Sequence, residues 1–425
     1  MKLLHTSDWH LGHSLRDIDR EPEHRAFLQW LLATLQTEQP DALLITGDVF
    51  DSATPPASAE QLWYQFLADA AAVCPQMRTV VIAGNHDSPM RLSAPSPIVA
   101  RANVTIVSGI PRRPDGSAAW AQLLVPFAND RGLIAAVPYL RPYDIALVPP
   151  HGDRPAVRQV YDAVGAAAQA ALRPGQALIV LGHLYAAGGV AAPTSERPIA
   201  IGGQEAATPS MFPKTASYVA LGHLHRPQKV LAPTVRYAGA PIPLAIEEAE
   251  YRHSVVVVDL DDETLVATPR LLEVPRLVPM MRVPRTGTLS LPDALSALAD
   301  LGARIAPLGD AGGVHAVTST TAPLAAINLR PFVELHVELA APEPKLRTLI
   351  EKAADAASVR LLGTKVHYRG DASATLTTPE PSLAELNPRD VFLRLWQRKY
   401  GATPPVEVEA AFTELLMHAQ GSGAL

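Results

Sequence analysis

The sequence predicts an α/β fold, followed by a small α+β unit and a pair of C-terminal helices. Three observations carry this reading. Short β-rich runs alternate with helical periodicities through the N-terminal part of the chain. The composition shifts near Pro275. A stretch rich in Thr, Ser, Ala and Pro at 371–386 then sets the last helical patterns apart. The boundaries that follow are 1–274, 275–370, a linker at 371–386 and a helical tail at 387–425.

Lys2–Thr6 reads as a strand. Glu21–Gln36 reads as a helix with Phe27, Trp30, Leu31 and Leu35 on one stripe. Ala42–Thr46 is a strand, Ser58–Ala72 a helix and Thr79–Ala83 a strand. Further strands are expected at Ile134–Val137, Ala177–Gly182, Tyr218–Leu221, Val235–Ala238 and Ser254–Leu260. Such alternation implies largely buried sheets. In the second unit the order is strand Leu277–Val283, helix Pro292–Leu301, strand Phe332–Leu339, helix Glu343–Ala356 and strand Val359–Tyr368. In the tail, Asn387 suits a helix cap, Pro388 the first helical position and Gly401 the stop. Val391, Phe392, Leu395, Trp396 and Tyr400 form one apolar stripe. Val408, Ala411, Phe412, Leu415 and Leu416 form another after Pro404 and Pro405.

A chain of 425 residues suits two or three domains. With 48% hydrophobic and 18% charged residues, wholesale disorder is excluded. A formal net charge of −6 excludes a wholly basic nucleic-acid binder, so any DNA contact needs a local patch or bound metal ions. The single cysteine, Cys74, leaves no internal disulfide and no Cys-based zinc site, which fits a reducing compartment. Met1–Leu4 is followed at once by His5, Asp8 and His10, so no apolar signal core is expected there. No apolar run approaches the roughly 20 residues of a membrane helix. The expected location is the cytoplasm, with no membrane contact.

Five short polar motifs follow predicted strands. They are Asp8-Trp9-His10, Gly47-Asp48-Val49-Phe50-Asp51, Gly84-Asn85-His86-Asp87, Gly182-His183 and Gly222-His223-Leu224-His225. In open α/β sheets, sites form beyond the carboxyl ends of the strands, so the five segments are expected to converge. Carboxylate, imidazole and amide oxygen suit Mn²⁺, Fe²⁺ or Zn²⁺, and seven candidate ligands suit two ions rather than one. If extended, Asp8 and His10 point the same way, as do His223 and His225; a bent turn sends the two histidines to different ions. One Asp-x-His or one Gly-Asp alone carries little information, and a lone His183 reads as a core histidine. Five such motifs together would bury many ionisable groups at great cost without metal.

The order DxH, GDxxD, GNHD, GH, GHxH resembles the calcineurin-like metallophosphoesterases. The flanking residues narrow the resemblance: His5–Gly12, Gly47–Asp51 with Pro55 and Pro56 after it, Ala83–Ser88 and Val137–Arg141 are similar to the bacterial SbcD family of Mre-type nucleases. The resemblance covers the whole chain. It implies a four-layer sandwich, a small α+β capping domain and a C-terminal helical pair. It also implies a DNA exonuclease and endonuclease using two divalent ions, Mn²⁺ by expectation. Asp8, His10 and His225 would hold the first ion, and Asn85, His183 and His223 the second, with Asp48 bridging. A hydroxide between ions roughly 3.5–4 Å apart would attack phosphorus in line with the leaving 3′ oxygen. His86 would protonate that oxygen or stabilise the strained phosphate, and Asp87 would orient its surroundings. Asp51 stands where archaeal relatives carry a second histidine, and its expected role is to steer His86. Arg16 and Arg91 are candidate DNA contacts, with His13, Asp17, Tyr139 and Arg141 as further polar neighbours. The implied partners are DNA and an SbcC-type SMC-like ATPase, with a homodimer inside a heterotetramer. Phe392, Trp396, Phe412 and Leu416 are the candidate contacts to the ATPase.

Two other readings compete: a different enzyme of the superfamily, either a small-molecule phosphodiesterase or a protein phosphatase, and a non-enzymatic scaffold. A small-molecule phosphodiesterase would have no use for the cap or the apolar tail. Protein phosphatases carry Arg in the second motif and Glu after the third motif's His, where this chain reads Gly47–Ser52 and Asp87. A scaffold with a dead site is disfavoured because all seven ligand positions and His86 hold the expected residue types.

Overall fold

The computed structural model describes residues 1–127, 129–147, 155–191, 208, 211–230, 232–305 and 330–369, and residues 392, 393, 395, 396, 404, 405, 408 and 412 of the tail. In chain order the elements begin with β1 (Lys2–Thr6), the hairpin β2 (Ser14–Leu15) and β3 (Ile18–Asp19), α1 (Glu21–Glu38), β4 (Ala42–Thr46), α2 (Ala57–Val73) and β5 (Arg78–Ile82). Short helices α3 (Pro89–Ser93) and α4 (Ser96–Val99) precede β6 (Val104–Val107), β7 (Leu124–Pro126) and β8 (Gly132–Ala136). Then come α5 (Pro142–Ile145), α6 (Ala156–Ala171), β9 (Ala177–His183), β10 (Ala216–Gly222), β11 (Gln228–Val230), β12 (Ala232–Tyr237), β13 (Ser254–Leu260) and β14 (Ala267–Glu273). The remaining elements are β15 (Met280–Val283), β16 (Leu289–Ser290), α7 (Leu291–Ile305), β17 (Phe332–Leu339), α8 (Leu346–Ala356) and β18 (Arg360–Tyr368).

Two six-stranded sheets stack on each other, in the orders β14-β13-β1-β4-β5-β6 and β11-β12-β10-β9-β8-β7. Their central strands run parallel. Alternation along the strands builds the layers. Leu3, Ala42, Leu44, Val80 and Ile82 join the core shared with the second sheet and with Val160, Tyr161 and Val164 of α6. Leu4, Leu43, Ile45 and Val81 point the other way, onto Phe27, Leu31 and Leu35 of α1 and Trp63 and Phe66 of α2. The result is helix, sheet, sheet, helix, as expected.

A smaller sheet links β15, β17 and β16, with β18 paired to β17. Its Met280, Phe332 and Leu362 form a core with Val278, Ile246 and Ala249, and Leu15 and Ile18 of the hairpin pack against it. Contacts therefore place Met1–Glu338 and Glu343–His367 in one compact unit, and Leu339–Pro342 with Tyr368–Leu425 in a second. In the second unit the Phe392 and Phe412 rings stack at 4.2 Å, and Trp396 lies 5.8 Å from Phe392. The two tail stripes thus meet through their aromatic residues. Leu416 and the 371–386 linker lie outside the described residues.

Candidate metal centre

β1, β4, β5, β9 and β10 end at neighbouring points of the two facing sheets, and the five motifs begin there. The seven expected ligands fall together. Asp8, His10 and His225 form one buried group and Asp48, His183 and His223 a second; within each, the ligand atoms lie within 4.8 Å of one another. Asp48 Oδ2 lies 3.3 Å from His183 Nε2 and 3.7 Å from His10 Nε2, between the groups. Asn85 Oδ1 lies 2.9 Å from His183 Nε2 and 3.1 Å from His223 Nδ1, which adds it to the second group.

The backbone achieves this differently from the strand alternation expected at Asp8 and His10. β1 ends at Thr6, and Asp8 and His10 have φ of 53° and 49°. Asp48 has φ 48° and His223 φ 105°. Left-handed backbone at four non-glycine ligand positions is strain of the kind that functional sites retain. The bend at His223 sends it and His225 to different groups. Glycine admits the close approach: a Cβ at Gly222 would overlap the Thr46 carbonyl, and one at Gly84 would overlap Asp48.

The donor set fits cations. His183 Nδ1 faces only the Thr46 carbonyl, at 2.8 Å, so Nδ1 carries a proton and donates it. Its Nε2 then faces the Asp48 carboxylate and Asn85 Oδ1, where acceptors crowd together and only a proton or a cation can lie between them. Burial alone would lower His183, but the Asp48 carboxylate together with Asp8 and the Thr46 carbonyl raises it to about 9. Burial and the neighbouring His183 push His223 down to about 3. His10 Nε2 is buried without a hydrogen-bond partner. The clusters thus fit a dimetal site.

Supporting groups hold the ligands. Asp51 Oδ1 meets His10 Nδ1 at 3.1 Å and His13 Nδ1 at 3.0 Å. The expected steering of His86 by the Asp51 carboxylate is therefore corrected: His86 Nδ1 donates instead to the Asp51 backbone oxygen, at 2.7 Å. The carboxylate is engaged by the two other imidazoles. His86 sits edge-on to His10, ring centroids 4.7 Å apart, and also groups with His10 and Asp51 as a third set of ligand atoms. Asp87 is buried and accepts from the backbone N–H of Gly84, Phe50 and Val49 at 2.8, 3.0 and 3.3 Å. It ties the second motif to the third.

The flanking candidates lie further out. Arg91, half-exposed, reaches Glu60 on α2 at 3.5 Å. Arg16 has φ 51° at the tip of the β2–β3 hairpin, beside Gly363 of β18. Arg141 donates to the backbone oxygens of Asp87 and Gly84, at 2.7 and 3.2 Å, and so braces the third motif. Two groups had no sequence signal. Glu248 is fully buried and its Oε1 meets His225 Nδ1 at 2.8 Å. The Ser7 hydroxyl donates to Asp8.

This fold, with two ligand groups at the strand ends, defines a metallophosphoesterase. The calcineurin-like phosphoesterase family matches residues 1–227, more than half of the chain. A second family, described as the type 5 capsule protein repressor C-terminal domain, matches residues 276–400. The SbcD component of the nuclease SbcCD from Rhodobacter capsulatus is 35% identical over 402 residues, covering 92% of this chain and 93% of that protein. Its namesake from Bacillus subtilis is 36% identical, covering 61% of this chain and 66% of that protein. The one from Escherichia coli K12 is 38% identical, covering 60% and 64%. The chain belongs to the calcineurin-like phosphoesterases and, within them, to the SbcD family of SbcCD nucleases. Among the described residues, no helix is long and apolar enough to cross a membrane.

Proposed function

We propose that the chain is the nuclease component of an SbcCD-type complex, a phosphodiester hydrolase that cuts DNA with two Mn²⁺ ions. The observation that carries this is the meeting of seven ligands from five separate segments in two groups, with Asp48 between them. Bound ions would supply Lewis acidity and an activated water. The chain's own residues do the rest. Asp48 stands between the groups, and Asn85 draws His183 and His223 together. His86, with Nδ1 held by the Asp51 carbonyl, presents Nε2 to the cleft and protonates the leaving 3′ oxygen. Asp87 keeps the second and third motifs in register.

Residues 1–274 carry the nuclease domain, 275–370 the cap, 371–386 a linker and 387–425 the tail that grips an SMC-like ATPase through Phe392, Trp396, Phe412 and Leu416. Arg16, on the hairpin beside the cap, and Arg91 are the candidate phosphate contacts. Homodimerisation inside a heterotetramer and a cytoplasmic location complete the proposal. The test is Mn²⁺-dependent cleavage of double-strand ends and of a DNA hairpin, with and without the ATPase. Cleavage that needs Mn²⁺ and responds to ATP supports the reading. Full activity in excess chelator overturns it, and selective hydrolysis of a small phosphodiester favours a different enzyme of the superfamily.

A further inference from the structure

Between β12 and β13 the chain crosses from the second six-stranded sheet to the first, and on the way it touches both the metal centre and the small sheet. A single 3₁₀ turn, Ile246–Glu248, stands at the crossing. Its two ends face different cores. Ile246 is buried among Val278, Met280, Phe332 and Leu362 of the capping unit. Glu248, two residues on, is fully buried and meets His225 at 2.8 Å.

The Glu248 carboxylate is enclosed by donors. Oε2 accepts the Leu244 N–H at 2.9 Å, and Oε1 faces His225 Nδ1. A carboxylate only accepts, so His225 must carry its proton on Nδ1 and turn Nε2, with its lone pair, toward Asp8 and His10. The same segment is pinned from other sides. His13 Nε2 meets the Leu244 oxygen at 3.1 Å, Arg20 donates to the Pro243 oxygen at 3.0 Å, and His253 Nε2 meets the Glu248 oxygen at 3.2 Å.

We propose that Glu248 is a positioning residue for His225, and that the Ile246–Glu248 turn ties the packing of the cap to one of the two metal-ligand groups. This rests on the two-ion reading of the site. Carboxylates behind ligating histidines fix the tautomer and ring orientation, and losing one commonly costs 10–100-fold in metal affinity. Glu248→Gln makes the point sharply. Glutamine offers one accepting oxygen where two donors need one each. Either Leu244 N–H loses its partner or His225 Nδ1 meets an amide N–H.

The experiment is a Mn²⁺ titration of metal-free protein, alongside ¹⁵N histidine spectra of the same metal-free samples. His225 is assigned by loss of its signals in His225→Asn. Wild type is expected to bind two ions and to show His225 protonated at Nδ1. Glu248→Gln is expected to weaken one ion by about 10–100-fold, leave the other unchanged and alter the His225 spectrum. Ile246→Ala, which loosens the contact with the cap, should weaken the same ion to a lesser degree. Ile350→Ala, a cavity on α8 away from the turn, should lower thermal stability and leave both affinities unchanged. Three results overturn the proposal: His225 protonated at Nε2 in wild type, both ions held normally by Glu248→Gln, or Ile350→Ala weakening metal as much as Ile246→Ala. If Glu248→Gln does not fold, the wild-type tautomer and the Ile246→Ala titration decide. Wild type binding fewer than two ions overturns the two-ion reading instead, and the tautomer still decides the role of Glu248.

Discussion

In the proposed function, His86 separates holding the ions from acting on the substrate. Its backbone N–H donates to Asp48 Oδ1 at 2.8 Å, so removing the ring leaves that support intact. His86→Ala is expected to keep two bound ions and DNA affinity while cleavage falls about 10²–10⁴-fold, the scale of a lost general acid. Metal content and rate, measured on one preparation, check this; lost metal would make His86 a ligand. Buried histidines also set a pH dependence. His5, between Tyr218 and Thr46, is pushed down to about 3 by burial, and His24 likewise to about 3. An unfolded chain takes up protons at these rings below about 6.5, whereas the folded chain refuses them until about 3. The contribution of these two rings to folding stability is therefore full above pH 6.5 and is lost as pH falls below it. His5→Gln should flatten the fall in urea midpoint between pH 7 and 5; an unchanged slope would show that His5 is not responsible. Gly222→Ala should cost about 1–3 kcal/mol, since its methyl meets the Thr46 carbonyl.

At the scale of elements, the sequence was most legible where burial was most complete. β1, β4 and β13 run over the residues expected because they are buried on both faces, and β17 does so through alternation of Phe332, Val333, Leu335, Val337 and Leu339 with Glu334, His336 and Glu338. α6 had no such signal: its alanine-rich Ala156–Ala171 sequence carries only Val160, Tyr161 and Val164 as large core residues. β14 was hidden by Pro269 and by exposure, both ordinary for an edge strand. The ligand types were legible because each motif is local. Their geometry was not, because the left-handed turns at Asp8, His10, Asp48 and His223 are imposed by packing on non-glycine residues. Glu248 was invisible for a related reason, lying far in sequence from the histidine it holds. In the tail, Phe392 and Phe412 stack on each other, while Leu395 is 59% exposed. Short paired helices bury little surface alone, so an apolar partner completes them in our proposal. Deleting the chain after Arg369 should spare metal binding and basal cleavage but abolish co-purification with the ATPase. Trp396→Ala should weaken that complex by at least about 2 kcal/mol. A truncated chain that binds the ATPase with full affinity would place the contact elsewhere.

Across the whole molecule, two stacked sheets bring together loops spread from Asp8 to His225, and the smaller sheet packs on the β2–β3 hairpin and on Ile246 of the Ile246–Glu248 turn. The account stands or falls on Asp48, placed between the two ligand groups. The most direct measurement is the number of Mn²⁺ ions bound at equilibrium by wild type, Asn85→Ala and Asp48→Ala, each checked for folding by circular dichroism. The account predicts two ions for wild type, loss of one for Asn85→Ala, and weakening of both for Asp48→Ala. A wild-type protein that binds a single ion, or an Asp48→Ala variant that keeps one ion at wild-type affinity, would contradict it.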